Sequence, residues 1–274
     1  MTTNSLSRSQ SEIDRLLDVM ARLRDPESGC PWDKVQTFET IAPYTIEEAY
    51  EVAEAIAEGD MEGLQGELGD LLFQVIFYAQ MSSESGRYGF ADIARSISDK
   101  MIRRHPHVFA GASVESADAQ TAEWEAQKRE EREAKSKARG VFPSVLDDVP
   151  AALPALARAV KLQKRAAGVG FDWPDVSGVL DKMAEEVEEL RVEQTAGNAD
   201  AMAEELGDVL FAWTNLARHH KIDPETALRR ANAKFERRFR RIEALLSVED
   251  RRPDDADLKE LEALWNQAKT EERA

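Results

Sequence analysis

Cysteine is nearly absent from this sequence: Cys30 is the only one among 274 residues, so no intrachain disulfide can form. A disulfide-stapled secreted scaffold is therefore excluded. Also missing is any run approaching the ~20 apolar residues that a membrane span needs. The stretch from Met1 to Ser9 lacks the apolar segment of a signal peptide, so a cytoplasmic location with no membrane association is expected. Positive charge is in short supply, 36 Lys and Arg against 53 Asp and Glu, for a formal net charge of −17. Nucleic acid polymers and anionic membranes are repelled by such a chain. Small anions are still possible partners, because a metal held by carboxylates or a few clustered cations reverses the local field. Two-residue alternation of apolar and polar residues is lacking too. Apolar residues recur at helical spacing instead, and an all-α fold follows.

What is present is a duplicated pattern. Arg24, Gly29 and Trp32 recur 141 positions later as Arg165, Gly170 and Trp173. Glu48, Glu51, Gly59, Glu67, Gly69 and Asp70 recur 138 later as Glu186, Glu189, Gly197, Glu205, Gly207 and Asp208. Lys100 and Arg104 reappear 134 later as Lys234 and Arg238, and Trp124 and Lys128 reappear 141 later as Trp265 and Lys269. Small insertions in loops account for the drift, and two tandem modules follow. The charge-dense stretch from Lys128 to Lys137 leads into Gly140, Pro143, Pro150 and Pro154, which places the boundary near residue 140. The expected domains are residues 1–139 and 140–274.

An opening helix carries Leu16, Leu17, Met20 and Leu23, and the turn chemistry of Asp25 to Gly29 ends it. Two further helices, Ile46 to Ala57 and Leu64 to Met81, are split by Gly59 and Asp60. In an antiparallel helix pair turning at Gly59, residues equidistant from the turn lie side by side. Glu51 then faces Glu67, and Glu48 faces Asp70. The same holds about Gly197, where Glu189 faces Glu205 and Glu186 faces Asp208. Acids three apart share one helix face, so four carboxylates converge in each copy. Their repulsion calls for a hard divalent cation taking oxygen ligands. No imidazole or thiolate accompanies them, which favours Mg²⁺, or Mn²⁺, over Zn²⁺ or Fe. A single Glu-x-x-Glu in so acidic a chain is ordinarily a solvated face; duplication beside the apolar runs from Leu71 and Val209 argues otherwise, because buried acids need a partner.

Lys234 and Arg238, one turn apart, can meet phosphate oxygens, as can Lys100 and Arg104. Trp265 with Lys269, and Trp124 with Lys128, can stack on a base and neutralise a phosphate, or can anchor a terminal helix to the core. Trp32 and Trp173 carry the same ambiguity. His105-Pro106-His107 reads as a helix end rather than a metal site. Lys161, Lys164 and Arg165 form a basic patch left outside the site.

These residues resemble the MazG family. The resemblance rests on Glu47-Glu48-x-x-Glu51 with Glu67-x-x-Asp70, and on Glu185-Glu186-x-x-Glu189 with Glu204-Glu205-x-x-Asp208. Supporting strings are Gly29 to Lys34, Glu67 to Phe73, Arg104 to Phe109, Val169 to Trp173 and Lys234 to Phe239. The resemblance implies two tandem helical-bundle domains completed by dimerisation. It also implies Mg²⁺-dependent hydrolysis of nucleoside triphosphates to monophosphate and pyrophosphate. By position it implies Glu186, Glu189, Glu205 and Asp208 as metal ligands, with Glu185 and Glu204 as nearby acids. Lys234, Arg238, Trp265 and Lys269 become substrate contacts, and the C-terminal copy carries the main activity. A non-catalytic regulator binding nucleotide or protein through acidic helices is the competing reading, which an assay of pyrophosphate release separates.

Overall fold

A computed structural model describes residues 3–111, 113 and 116–272. Among them there are helices and no strands. The helices are α1 (Thr3–Leu23), α2 (Pro31–Val35), α3 (Phe38–Glu58), α4 (Gly63–Glu84), α5 (Phe90–Arg104), α6 (Pro106–Phe109), α7 (Ala117–Ala138), α8 (Ala155–Ala167), α9 (Val176–Ala196), α10 (Ala199–His219), α11 (Pro224–Ser247) and α12 (Leu258–Glu271). The chain divides into two compact units, residues 1–125 and 126–274, with the division inside α7. The charge-dense stretch from Lys128 to Lys137 is thus helical, and Gly140 follows it with a positive φ of 67°.

In the first unit α3 and α4 form the antiparallel hairpin, and α1 and α5 pack on α4. Thr37 starts α3 by accepting from the Thr40 amide, and the Thr40 hydroxyl accepts from the Thr37 amide in return. The helix stops at Gly59, whose φ of 75° lies in the left-handed region that suits glycine. Asp60 then accepts from the Gly63 amide and launches α4. Met20, Ile41, Ile76, Phe77 and Met81 form the core, flanked by Leu16, Leu17, Phe38, Phe73, Tyr78 and Phe90. Each large side chain removed from water there contributes about 1.5–3 kcal/mol.

The loop that ends α1 is fastened by charge. Arg24 donates to Glu84 at 2.7 Å and to the Asp33 carbonyl, and its guanidinium lies over the Phe77 ring. Asp25 accepts from the Glu27 and Ser28 amides, which fixes the turn read from the sequence. His105 sits where α5 ends, its Nδ1 2.7 Å from the Met101 carbonyl oxygen, as the helix-end reading expects.

In the second unit α9 and α10 form the corresponding hairpin, α8 packs on α10, and α11 pairs with α12. Asp175 caps α9, Gly197 ends it with a φ of 72°, and Asn198 caps α10. Its core is smaller: Val179, Met183 and Ala212 with Leu216 beside them, and Ile242, Leu246 and Ala268 buried on α11 and α12. The apolar run after Asp208 is not enclosed. Leu210 is 51% exposed and Trp213 54%.

Candidate metal and nucleotide site

Each hairpin groups three of the four acids that turn geometry brings to its face. In the first, carboxylate oxygens of Glu48, Glu67 and Asp70 lie within 4.8 Å of one another; in the second, those of Glu186, Glu205 and Asp208 do so. Glu51 and Glu189 stand outside these triplets and act on them as neighbouring charges. Partial burial, then the charges of Asp70 and Glu51, a hydrogen bond with Glu51 and the charge of Glu67 push the Glu48 carboxyl up from its ordinary value. Glu67 is raised by burial, Glu51, Asp70 and Asp60. Glu205 is raised by burial and then by Glu189, Glu186, Asp208 and Glu193. Such mutual repulsion is what a bound cation relieves. The donors are all carboxylate oxygens, which fits a hard divalent cation and not a thiolate- or imidazole-seeking metal.

The copies differ in what faces the acids. In the second, Lys182 lies one turn before Glu186 on α9, its Nζ 2.8 Å from Glu185 and 2.8 Å from Glu186. Those two bonds hold the ammonium well above its ordinary pKa, Glu185 contributing most. Glu186 itself is only 6% exposed. The matching position in the first copy is Tyr44, whose ring meets Trp32 edge-on at 5.9 Å. The signal for Lys182 in the sequence is its i, i+4 spacing to Glu186.

The expected substrate contacts differ in exposure and in what they meet. Lys234 is exposed on α11. Arg238 and Trp265 are brought together, the guanidinium 5.4 Å from the ring centroid, with Phe235 on the same indole at 5.3 Å. Arg238 also donates to Glu272 at 2.7 Å, which holds that acid below its usual range. Lys269 is half-buried on α12. In the first unit Trp124 donates its Nε1–H to the Arg104 carbonyl at 2.9 Å and meets His105 edge-on, so its indole is an anchor between α7 and the end of α5. Lys100 is half-buried on α5 and Lys128 half-buried on α7. Trp173 packs against Gly178, where a Cβ would come within 2.2 Å of the ring, and is a packing residue. Glu47 is exposed beside Glu48, and Glu204 is exposed beside Glu205.

The family model for the MazG nucleotide pyrophosphohydrolase domain matches residues 36–109 and again 176–242, so each match contains one hairpin and its acids. The chain is 53% identical over 264 residues to the nucleoside triphosphate pyrophosphohydrolase of Escherichia coli K12, covering 96% of this chain and 98% of that one. It is 39% identical over 257 residues to the nucleoside triphosphate pyrophosphohydrolase/pyrophosphatase MazG of Thermotoga maritima, covering 94% and 95%. Bacillus subtilis YabN is 43% identical over 263 residues, which cover 96% of this chain and 52% of that longer one.

Proposed function

The chain belongs to the MazG nucleotide pyrophosphohydrolase family, and from that premise we propose that it hydrolyses nucleoside triphosphates between the α and β phosphates, releasing monophosphate and pyrophosphate. The observation that carries this reading is the duplicated carboxylate triplet, an oxygen-only donor set on a rigid hairpin. Glu186, Glu189, Glu205 and Asp208 would hold Mg²⁺. Bound there, the cation supplies charge neutralisation and Lewis acidity at the phosphate.

The chain's own residues do the rest. Lys234 and Arg238 neutralise charge that gathers on the departing pyrophosphate, and Trp265 with Lys269 frames the nucleotide. Glu185 is engaged by Lys182, which leaves exposed Glu204 as the acid that accepts the proton of the attacking water. The water oxygen bonds to the α phosphorus as that atom's bond to the α–β bridging oxygen breaks, and pyrophosphate leaves with the bridging oxygen.

A homodimer completes the site in this reading. Leu206, Leu210 and Trp213 lie at i, i+4 and i+7 on one face of α10, and all are exposed in the single chain. An exposed apolar face on the side of α10 away from its acids is what a second copy would cover.

Pyrophosphate release from a panel of triphosphates with Mg²⁺ tests the assignment. Glu205→Gln with Asp208→Asn should lower it by roughly a thousand-fold while leaving the helical signal intact, because several kcal/mol of charge stabilisation are lost. Glu67→Gln with Asp70→Asn should leave most of it. Equal losses from the two pairs would remove the main activity from the C-terminal copy.

A further inference from the structure

We propose that Lys182 sets the two copies to different cation affinities, so that the N-terminal triplet takes a divalent cation at lower concentration than the C-terminal triplet does. This rests on the carboxylate reading above and concerns how the sites fill. Glu186 is the most buried acid of its triplet, and its carboxylate already shares a hydrogen bond with the Lys182 ammonium at 2.8 Å. Glu185, the adjacent acid, takes the same ammonium at 2.8 Å. A divalent cation entering there meets a positive charge one helical turn away and a ligand that is partly committed. Its affinity falls accordingly.

The first copy offers no such competitor. Position 44 is a tyrosine packed on Trp32, and among the described residues no ion pair ties Glu48, Glu67 or Asp70 to a cation. Its acids repel one another without relief, so the cation gains the full attraction of the cluster. Two triplets with the same letters and the same spacing thus fill in order. The C-terminal cation then arrives with its nucleotide, whose phosphates add the negative charge that offsets Lys182.

Mn²⁺ titration of the full chain, followed by the electron paramagnetic resonance signal of the free ion, tests this without an activity measurement. Two classes of site are expected, the tighter lost in Glu67→Gln with Asp70→Asn and the weaker lost in Glu205→Gln with Asp208→Asn. Lys182→Met should tighten the weaker class by roughly tenfold, a modest figure because the ammonium is partly exposed. Lys182→Arg keeps the charge and should keep the weak affinity, which separates charge from packing. Tyr44→Lys should weaken the tighter class by a similar factor. Equal affinities in the parent chain, or no change in Lys182→Met with its helical signal intact, would overturn the inference. Mn²⁺ binding that survives all four acid substitutions together would instead overturn the carboxylate reading itself.

Discussion

Arg238 is held between an acid and an aromatic ring, and that placement bears on what the side chain can do. Its side chain is 12% exposed, lies over Trp265, and donates its Nε–H to Glu272. A carboxylate there occupies the kind of position that a phosphate oxygen would take, since both accept from a guanidinium fork. If Arg238 meets the leaving pyrophosphate, Arg238→Ala should lower kcat as well as raise KM, by about ten- to a hundred-fold in kcat/KM for a lost charge-assisted bond of ~1.5–3 kcal/mol. Arg238→Lys should recover only part, because the planar fork is gone. Arg241 supplies the control: it pairs with Glu271 at 2.7 Å, is half exposed, and should tolerate alanine. Steady-state kinetics on all three variants, with thermal melts to exclude unfolding, decide the matter. Full kcat/KM in each would make this helix a surface feature.

At the scale of the helix, the hairpins were legible in the sequence because turn position and carboxylate spacing obey one symmetry. Gly59 and Gly197 stand midway between facing acids, and both take the left-handed conformation that ends a helix. Lys182 is legible only in part: its i, i+4 spacing to Glu186 stands in the sequence, whereas the bridging of Glu185 and Glu186 by one nitrogen lies in packing. Nor did periodicity separate the two roles open to tryptophan: Trp124 anchors through its N–H while Trp265 stacks with Arg238, and that difference lies in packing. The crowded hairpins also set a pH dependence. Glu48, Glu67 and Glu205 have folded pKa values above the unfolded ones, so the folded state binds the extra protons, and stability falls as pH rises through that window. Glu84 and Asp172 have the opposite shift, held down chiefly by Arg24 and Arg218, and their contribution is lost as pH falls below the ordinary carboxylate range. Metal-free protein should therefore melt higher at mildly acidic pH than at neutral pH, and lower again once pH falls below the ordinary carboxylate range. Saturating Mg²⁺ should remove the first gain. A melting temperature that climbs steadily toward neutral pH without metal would contradict the repulsion.

For the whole molecule, the question is what covers the apolar side of the C-terminal hairpin. The sequence reads the runs after Asp70 and Asp208 as buried, and the first is so in part: Ile76 and Phe77 are enclosed by α1, α3 and α5 residues. The second is open, with Leu206, Leu210 and Trp213 near half exposure on one face. Leaving such a face in water forgoes part of the about 1.5–3 kcal/mol that burial of each large apolar side chain contributes. A second copy supplies an identical face, and a two-fold arrangement lets Leu210 of each chain meet its counterpart region without generating an open-ended assembly. Leu210→Glu should then convert the dimer to a monomer in sedimentation equilibrium. Helical signal should persist, because the side chain lies outside the Val179, Met183 and Ala212 core. On the reading that a homodimer completes the site, hydrolysis should fall in step with dissociation although all four acids are intact. A parent chain that sediments as a monomer at concentrations where it hydrolyses triphosphate would place the whole site within one chain, and the exposed face of α10 would need another occupant.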